Sequence, residues 1–267
     1  MANNLVLGLT ALLALLPASL LPYRRRGGGR DTVFWALLAV ALAGPAVYSL
    51  VQLGGPWKTG LAMALWLSIA ISLAIFAGLA ALTREGWRLM PLLLPYLTVL
   101  ALIAVVWGQV PERHPLAAAP EAWLVVHILA SLGTYGLATV AAVAGAAVFL
   151  QERALKRKQT TSLTGLLPSI ADGEALELRL LAAAELVLGL GIVTGMALQV
   201  LTTDRLLLLD HKTLLSLLAF AVIGALLILR HRSGLRGRRA ARLVLLAYLL
   251  LTLAYPGVKF VTDVLLG

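Results

Sequence analysis

Cysteine is missing from this chain altogether. That excludes disulfides, thiolate metal ligands and thiol nucleophiles. Charge is scarce as well: Asp, Glu, Lys and Arg make up 13% of 267 residues, where soluble domains carry about a quarter. Acidic side chains are the scarcer sign, 12 against 22 basic ones, which leaves a formal charge of +10. No stretch is long enough and polar enough to be a separate soluble domain. No nucleophile–base pair and no phosphate-binding loop is visible, so a self-sufficient enzyme is not expected. There is no convincing internal repeat, which weighs against inverted-repeat transporter folds.

What fills the chain instead is hydrocarbon. Hydrophobic residues make up 61% and mean hydropathy is +0.95. A bilayer core needs about 20 apolar residues per helix. Such runs occur near 3–22, 32–53, 60–82, 89–107, 122–150, 181–201, 212–230 and 241–265. They are too long and too continuously apolar for barrel strands, and lipid leaves the backbone no other partner than its own helix. The expected fold class is therefore all-α: a polytopic membrane protein, a bundle of about eight transmembrane helices, forming one integral membrane domain over 1–267. The first run has no Lys or Arg before it and no small-x-small cleavage site, so it is expected to stay as a span.

Positive charge sorts by loop. Seventeen Lys and Arg fall in the loops after odd-numbered spans, among them Arg24, Arg25, Arg26, Arg88, Arg157 and Arg239. The opposite loops hold only Lys58, Arg113, Arg205 and Lys212. The positive-inside rule then puts both the N-terminus and the C-terminus outside. The same dispersal beside membrane spans points to anionic lipid headgroups as the partner of the basic charge, and no nucleic-acid motif accompanies it. Within the largest interruption, 151–180, the basic residues are expected to continue the fifth helix, and Asp172 suits an N-cap of the sixth. The tryptophans read mostly as an interfacial belt. The outer loop 108–121 carries Pro111, Pro115 and Pro120, and Lys259 with Asp263 forms an i,i+4 pair.

Four histidines remain as candidate ligands. His127 lies about one turn into the fifth span and His211 opens the seventh, directly after Asp210. Both fall on the same outer level, near helix N-termini, which favour the neutral imidazole that a haem iron or another borderline metal requires. Asp210 can cap the seventh helix or hydrogen-bond a ligand histidine. From His127 the helical face continues through Ser131, Thr134 and Tyr135, a small polar stripe pointing inward. An interfacial histidine without a ligand, and an Asp-His-Lys-Thr that merely starts a helix, are the alternatives. His114 sits in the outer loop and His231 at the cytoplasmic end of the seventh span. Glu185, near the cytoplasmic start of the sixth, either snorkels or pairs with a basic loop.

Several of these stretches resemble the cytochrome c assembly protein family, haem-handling membrane proteins that include the CcsA, CcmC and HemX-like types. They are Ala122-Trp-Leu-Val-Val-His-Ile-Leu-Ala-Ser-Leu-Gly-Thr-Tyr-Gly, the Leu188–Gly195 segment, Asp210-His-Lys-Thr-Leu-Leu-Ser, Arg230-His-Arg-x-Gly-Leu-Arg and Tyr255-Pro-Gly-Val-Lys-Phe. They occur in family order over roughly 120–260, and look most like the small inner-membrane branch often called YpjD-like. The resemblance implies that His127 is the outer haem ligand, that Asp210 is the aspartate closing the family's tryptophan-rich motif, and that His231 is its histidine at the cytoplasmic end of the next helix. Leu206–Leu209 stand where the tryptophans of that motif would be, and His211 is inferred here as the second axial ligand.

The expected function is thus a haem-handling protein of cytochrome c assembly type in a bacterial inner membrane. Haem would lie near the outer leaflet between helices five and seven, with Ser131 and Tyr135 in the site and a cytochrome c maturation protein or other membrane protein as partner. Two other classes compete with it. One is a small-solute or ion permease without haem, using the Ser131/Tyr135 stripe and Glu185. The other is a non-catalytic membrane regulator docking through its basic 151–159 segment.

Overall fold

The structure is a computed structural model that describes residues 2–25, 29–54, 60–109, 122–203 and 210–261. Every regular element among them is helical. The helices are α1 (Ala2–Arg24), α2 (Thr32–Leu53), α3 (Leu61–Leu82), α4 (Met90–Trp107, after a single 3-10 turn), α5 (Ala122–Lys156), α6 (Ile170–Thr203), α7 (His211–Ser233) and α8 (Gly237–Thr252). Among the described residues eight spans are long and apolar enough to cross a membrane, as the hydropathy pattern predicts. Most of the loop 108–121 with His114, the Leu206–Leu209 segment and Asp263 lie outside the described residues.

The helices gather into two compact units. The first holds α1–α4 together with the end of α5 and the turn after it, residues 150–169. Its helices pack in a ring, α1 on α2 and α4, α3 on α2 and α4. Side chains such as Phe34, Leu38, Ile69 and Phe76 fill the middle. Polar groups inside a bilayer gain most from partners within the protein, and two such pairs here run helix to helix. Ser19 and Thr98 hydroxyls meet at 2.8 Å, and the Tyr23 hydroxyl donates to the Pro91 carbonyl at 2.7 Å. Asp31 caps α2 by accepting from the Phe34 N–H. Trp66 departs from the expected belt. It is fully buried, its ring 4.9 Å from that of Tyr48, because α3 carries it on the face that closes the ring of helices.

The second unit holds α5 up to Phe149, α6, α7 and α8. Two helix boundaries differ from the hydropathy reading. α5 runs on to Lys156, as the basic run implied, but α6 begins at Ile170. Asp172 therefore lies in the first turn of α6 and not at its cap, with Ser169 just before the helix. There its charge still meets the positive end of the helix dipole.

An ionic cluster ties the ends of three helices. Arg230 near the end of α7 donates to Glu177 Oε1 at 3.0 Å and to the Glu174 carbonyl at 2.9 Å. Glu174 Oε1 in turn accepts from the Gly237 N–H at 2.7 Å, the first residue of α8. Gly234 makes the turn between α7 and α8 with φ of 65°, a left-handed conformation that glycine adopts without strain. Arg230 and Glu177 side chains are 8% and 1% exposed, so removing one strands the other in an apolar medium. Arg230→Ala is expected to destabilise the protein by about 3–5 kcal/mol, read as a lowered unfolding midpoint in detergent. Adding Glu177→Gln to that variant restores part of the loss, because no lone buried carboxylate remains.

Candidate functional site

Four helices of the second unit enclose a cavity of about 370 Å³, within the size range of small-molecule and cofactor pockets. α5 contributes His127, Ser131 and Tyr135, α6 Gly191 and Gly195, α7 Asp210, Lys212 and Thr213, and α8 Leu251. Most of the wall is apolar, with Leu188, Ile192, Leu217 and Ala254 among it. The polar atoms are few and come from different helices, so the cavity has a polar side and a greasy remainder.

His127 is the best-held of these groups. Its Nδ1 lies 3.0 Å from the Gly191 carbonyl and 3.2 Å from Thr194 Oγ1. The Thr194 hydroxyl sits over carbonyl oxygens of its own helix, Leu190 at 2.9 Å and Gly191 at 3.0 Å. A carbonyl can only accept, so Nδ1 carries the hydrogen and donates it to Gly191. Nε2 is then the nitrogen with the lone pair. The ring reaches α6 because residue 195 is glycine: a Cβ there would stand 2.9 Å from His127 Cε1. One turn up, the Trp123 indole N–H donates to the Thr194 carbonyl at 3.2 Å and fixes the entry of α5 against α6.

Deeper in, tyrosines from two helices meet. Tyr248 donates to the Tyr135 hydroxyl at 3.1 Å, an arrangement that leaves the Tyr135 hydrogen for a group in the cavity. The Tyr255 ring, also in the wall, lies 6.2 Å from that of Tyr135. Tyr255 belongs to a π-helical turn, Leu253–Gly257, that contains Pro256. Proline supplies no N–H to an α-helical ladder, and the wider turn absorbs that loss while turning the tyrosine inward. The Ser131 hydroxyl donates back to the His127 carbonyl at 2.9 Å.

Asp210 caps α7, its Oδ1 accepting from the Thr213 N–H at 2.8 Å. Desolvation pushes its carboxyl upward, but hydrogen bonds from Thr213 and the positive charge of Lys212 and His211 outweigh it, so the group titrates below the usual aspartate range.

The structure thus brings His127, Ser131, Tyr135 and Asp210 around one space. His211 and His231 stand apart from it. His211 is exposed and outside the cavity wall. Thr213, Ser216 and Leu217 set the inward face of α7, and a residue two positions before Thr213 points about 160° away from it at 3.6 residues per turn. His231 is exposed at the other end of α7, about 30 Å from His211 by helical rise. Glu185 lies near the middle of the long α6, which starts at Ile170, and among the described residues no ion pair joins it to a basic loop. Lys212, Thr194, Tyr248 and Tyr255 complete the site without having been picked as ligands from the sequence.

The family model described as Cytochrome C assembly protein matches residues 32–266. The match reaches back to the start of α2, well before the 120–260 region whose motifs carry the visible resemblance. A protein of Azospirillum brasilense described as "Uncharacterized 28.8 kDa protein in nifR3-like 5'region" is 54% identical over 271 residues, covering 100% of both chains. No solved structure matches the chain.

Two outcomes follow from the geometry. Gly195→Ala is expected to displace the His127 ring, seen as loss of the Nδ1–H hydrogen-bonded imidazole signal in nitrogen-15 NMR, while Gly191→Ala, whose Cβ would meet only Ala130 Cβ at 3.8 Å, leaves it in place. Asp210→Ala removes a helix cap and costs about 1 kcal/mol. The sign of its pH dependence follows from the lowered folded-state value. The cap's contribution is complete above the ordinary aspartate value of 3.8 and is lost as pH falls through the lower folded value. Thermal melts of wild type and Asp210→Ala are therefore expected to converge only under strongly acidic conditions.

Proposed function

Because the chain belongs to the Cytochrome C assembly protein family, we propose that it serves cytochrome c biogenesis as a haem-handling membrane protein, with haem held in the cavity of the second unit. The observation that carries this reading is the state of His127. Its Nδ1–H is engaged by a backbone carbonyl, which leaves the Nε2 lone pair free on a residue that lines a largely apolar cavity. Ligand histidines are oriented in just this manner, the far nitrogen donating to a carbonyl so that the near one binds metal.

The residues present fit a haem better than a bare ion. Among the described residues no three His, Asp or Glu side chains gather, whereas haem brings its equatorial nitrogens with it and asks only for axial ligands. Leu188, Ile192, Leu217, Leu251 and Ala254 would meet the macrocycle. Lys212, at the outer end of the cavity wall, would meet its carboxylates. Bound there, haem supplies an iron centre that can be carried, sensed or passed on, and we assign the chain itself no bond-making step. In this reading His127 holds, Gly195 makes room, and Gly191 and Thr194 fix the tautomer. His211 and His231 are not part of the reading. The site faces the outer leaflet of a bacterial inner membrane, following the charge distribution of the loops, where a cytochrome c maturation partner would meet it.

The test is an absorbance spectrum of the purified protein after haem addition, oxidised and reduced. Wild type is expected to give a shifted Soret band and sharp reduced bands, His127→Gly to lose them, and added imidazole to restore them in that variant. His231→Ala should match wild type. A wild-type spectrum identical to free haem in detergent, or a His127→Gly spectrum that does not change, contradicts the proposal.

A further inference from the structure

Glu185 occupies a place in the membrane that neither the cavity nor the ionic cluster uses. It lies near the middle of α6, about 22 Å along the helix from its start. Its Oε2 is buried and has no hydrogen-bond partner among the described residues. The other oxygen, Oε1, rests where α7 offers only Gly224: a Cβ on that residue would stand 2.9 Å from it. Gly224 is itself near the middle of its span. Two helices therefore meet at mid-membrane around a carboxyl that one of them has made room for.

No cation serves it. On α7 the nearest charged residue along the helix is Arg230, committed to Glu177 and Glu174. On α6 itself Arg179 is exposed, toward the start of the helix. The titratable and charged groups on the other helices of the unit are His127 and Tyr135 on α5, Arg238, Arg239 and Arg242 in the first turns of α8, and Tyr248 and Tyr255 further along it. No hydrogen bond or ion pair runs from any of them to Oε2. A carboxylate in hydrocarbon without donors or a counter-ion is strongly disfavoured relative to the neutral acid. Position supplies the rest. Leu188 and Ile192, three and seven residues on, share its helix face and line the cavity. Glu174, eleven residues back on that same face, belongs to the Arg230 cluster. The acid stands between the two.

We propose that Glu185 is an intramembrane proton-binding site, a carboxylic acid that carries its proton where α6 meets Gly224 of α7. Uptake from hydronium forms one O–H bond on the carboxyl as another breaks, release to water reverses it, and no electrons move. The site stands whether or not the cavity holds haem.

The experiment treats the full-length protein in lipid nanodiscs with a membrane-soluble carbodiimide, which adds across the O–H of a carboxylic acid and spares ion-paired carboxylates. Peptide mass spectrometry of wild type is expected to find the acylurea adduct on Glu185, with Glu177 unmodified and the yield falling as pH is raised. Infrared spectroscopy is expected to show a protonated-acid carbonyl band that is absent in Glu185→Gln and kept, shifted, in Glu185→Asp. Because the adduct is mapped on wild type, a folding defect in Glu185→Gln cannot mask the answer. An unmodified Glu185 at neutral pH, or an infrared acid band that persists unchanged in Glu185→Gln, overturns the proposal.

Discussion

A polar group in a bilayer is costly unless the protein satisfies it, because hydrocarbon offers nothing in return. This one constraint turns the chain into helices and decides where its few polar side chains can stand. Serine and threonine hydroxyls mostly turn back on their own helix, as Ser68 does to the Ala64 carbonyl at 2.8 Å and Ser131 to that of His127 at 2.9 Å. Others bridge helices, as Ser19 and Thr98 do. The charged cluster at Arg230 follows the same logic at higher stakes, since each of its members is costly alone and tolerable only together.

Against that background the second unit concentrates polarity in an ordered way. An ion-paired cluster closes one end, where α6 begins and α7 turns into α8. A cavity with an oriented imidazole lies toward the other end. Small residues make both arrangements possible: Gly195 lets an imidazole lie against α6, and Gly224 lets a carboxyl lie against α7. The same substitution of a hydrogen for a methyl group thus decides where chemistry can sit among close-packed helices.

Much of this could be read in advance. Continuous apolar runs gave the eight spans, because the bilayer imposes their length. The polar stripe His127, Ser131, Thr134 and Tyr135 could be read from helical period alone, and the cap at Asp210 from its residue type and position. Other features depended on information held by several helices at once. Which face of α7 turns inward is set by its packing, and that face leaves His211 outside the cavity. The start of α6 could be placed close to its true position from Asp172, but the partners of Glu174 and Glu177, the Gly237 N–H and Arg230, come from α8 and α7. Thr194 sits in an apolar run with nothing local to mark it. Tyr255 could have been suspected from the Pro256 that follows it, since a proline inside a span forces a local change of helix that often marks a site.

The central claim is that one nitrogen of one histidine, oriented by a carbonyl on the neighbouring helix, binds haem iron. The most direct measurement is pulsed electron paramagnetic resonance of oxidised, haem-loaded protein carrying nitrogen-15 only in histidine. The account predicts a strongly coupled axial imidazole nitrogen, with its remote N–H hydrogen-bonded, and the loss of that coupling in His127→Gly. A spectrum without a coupled histidine nitrogen, or a coupling that survives replacement of His127, would contradict it.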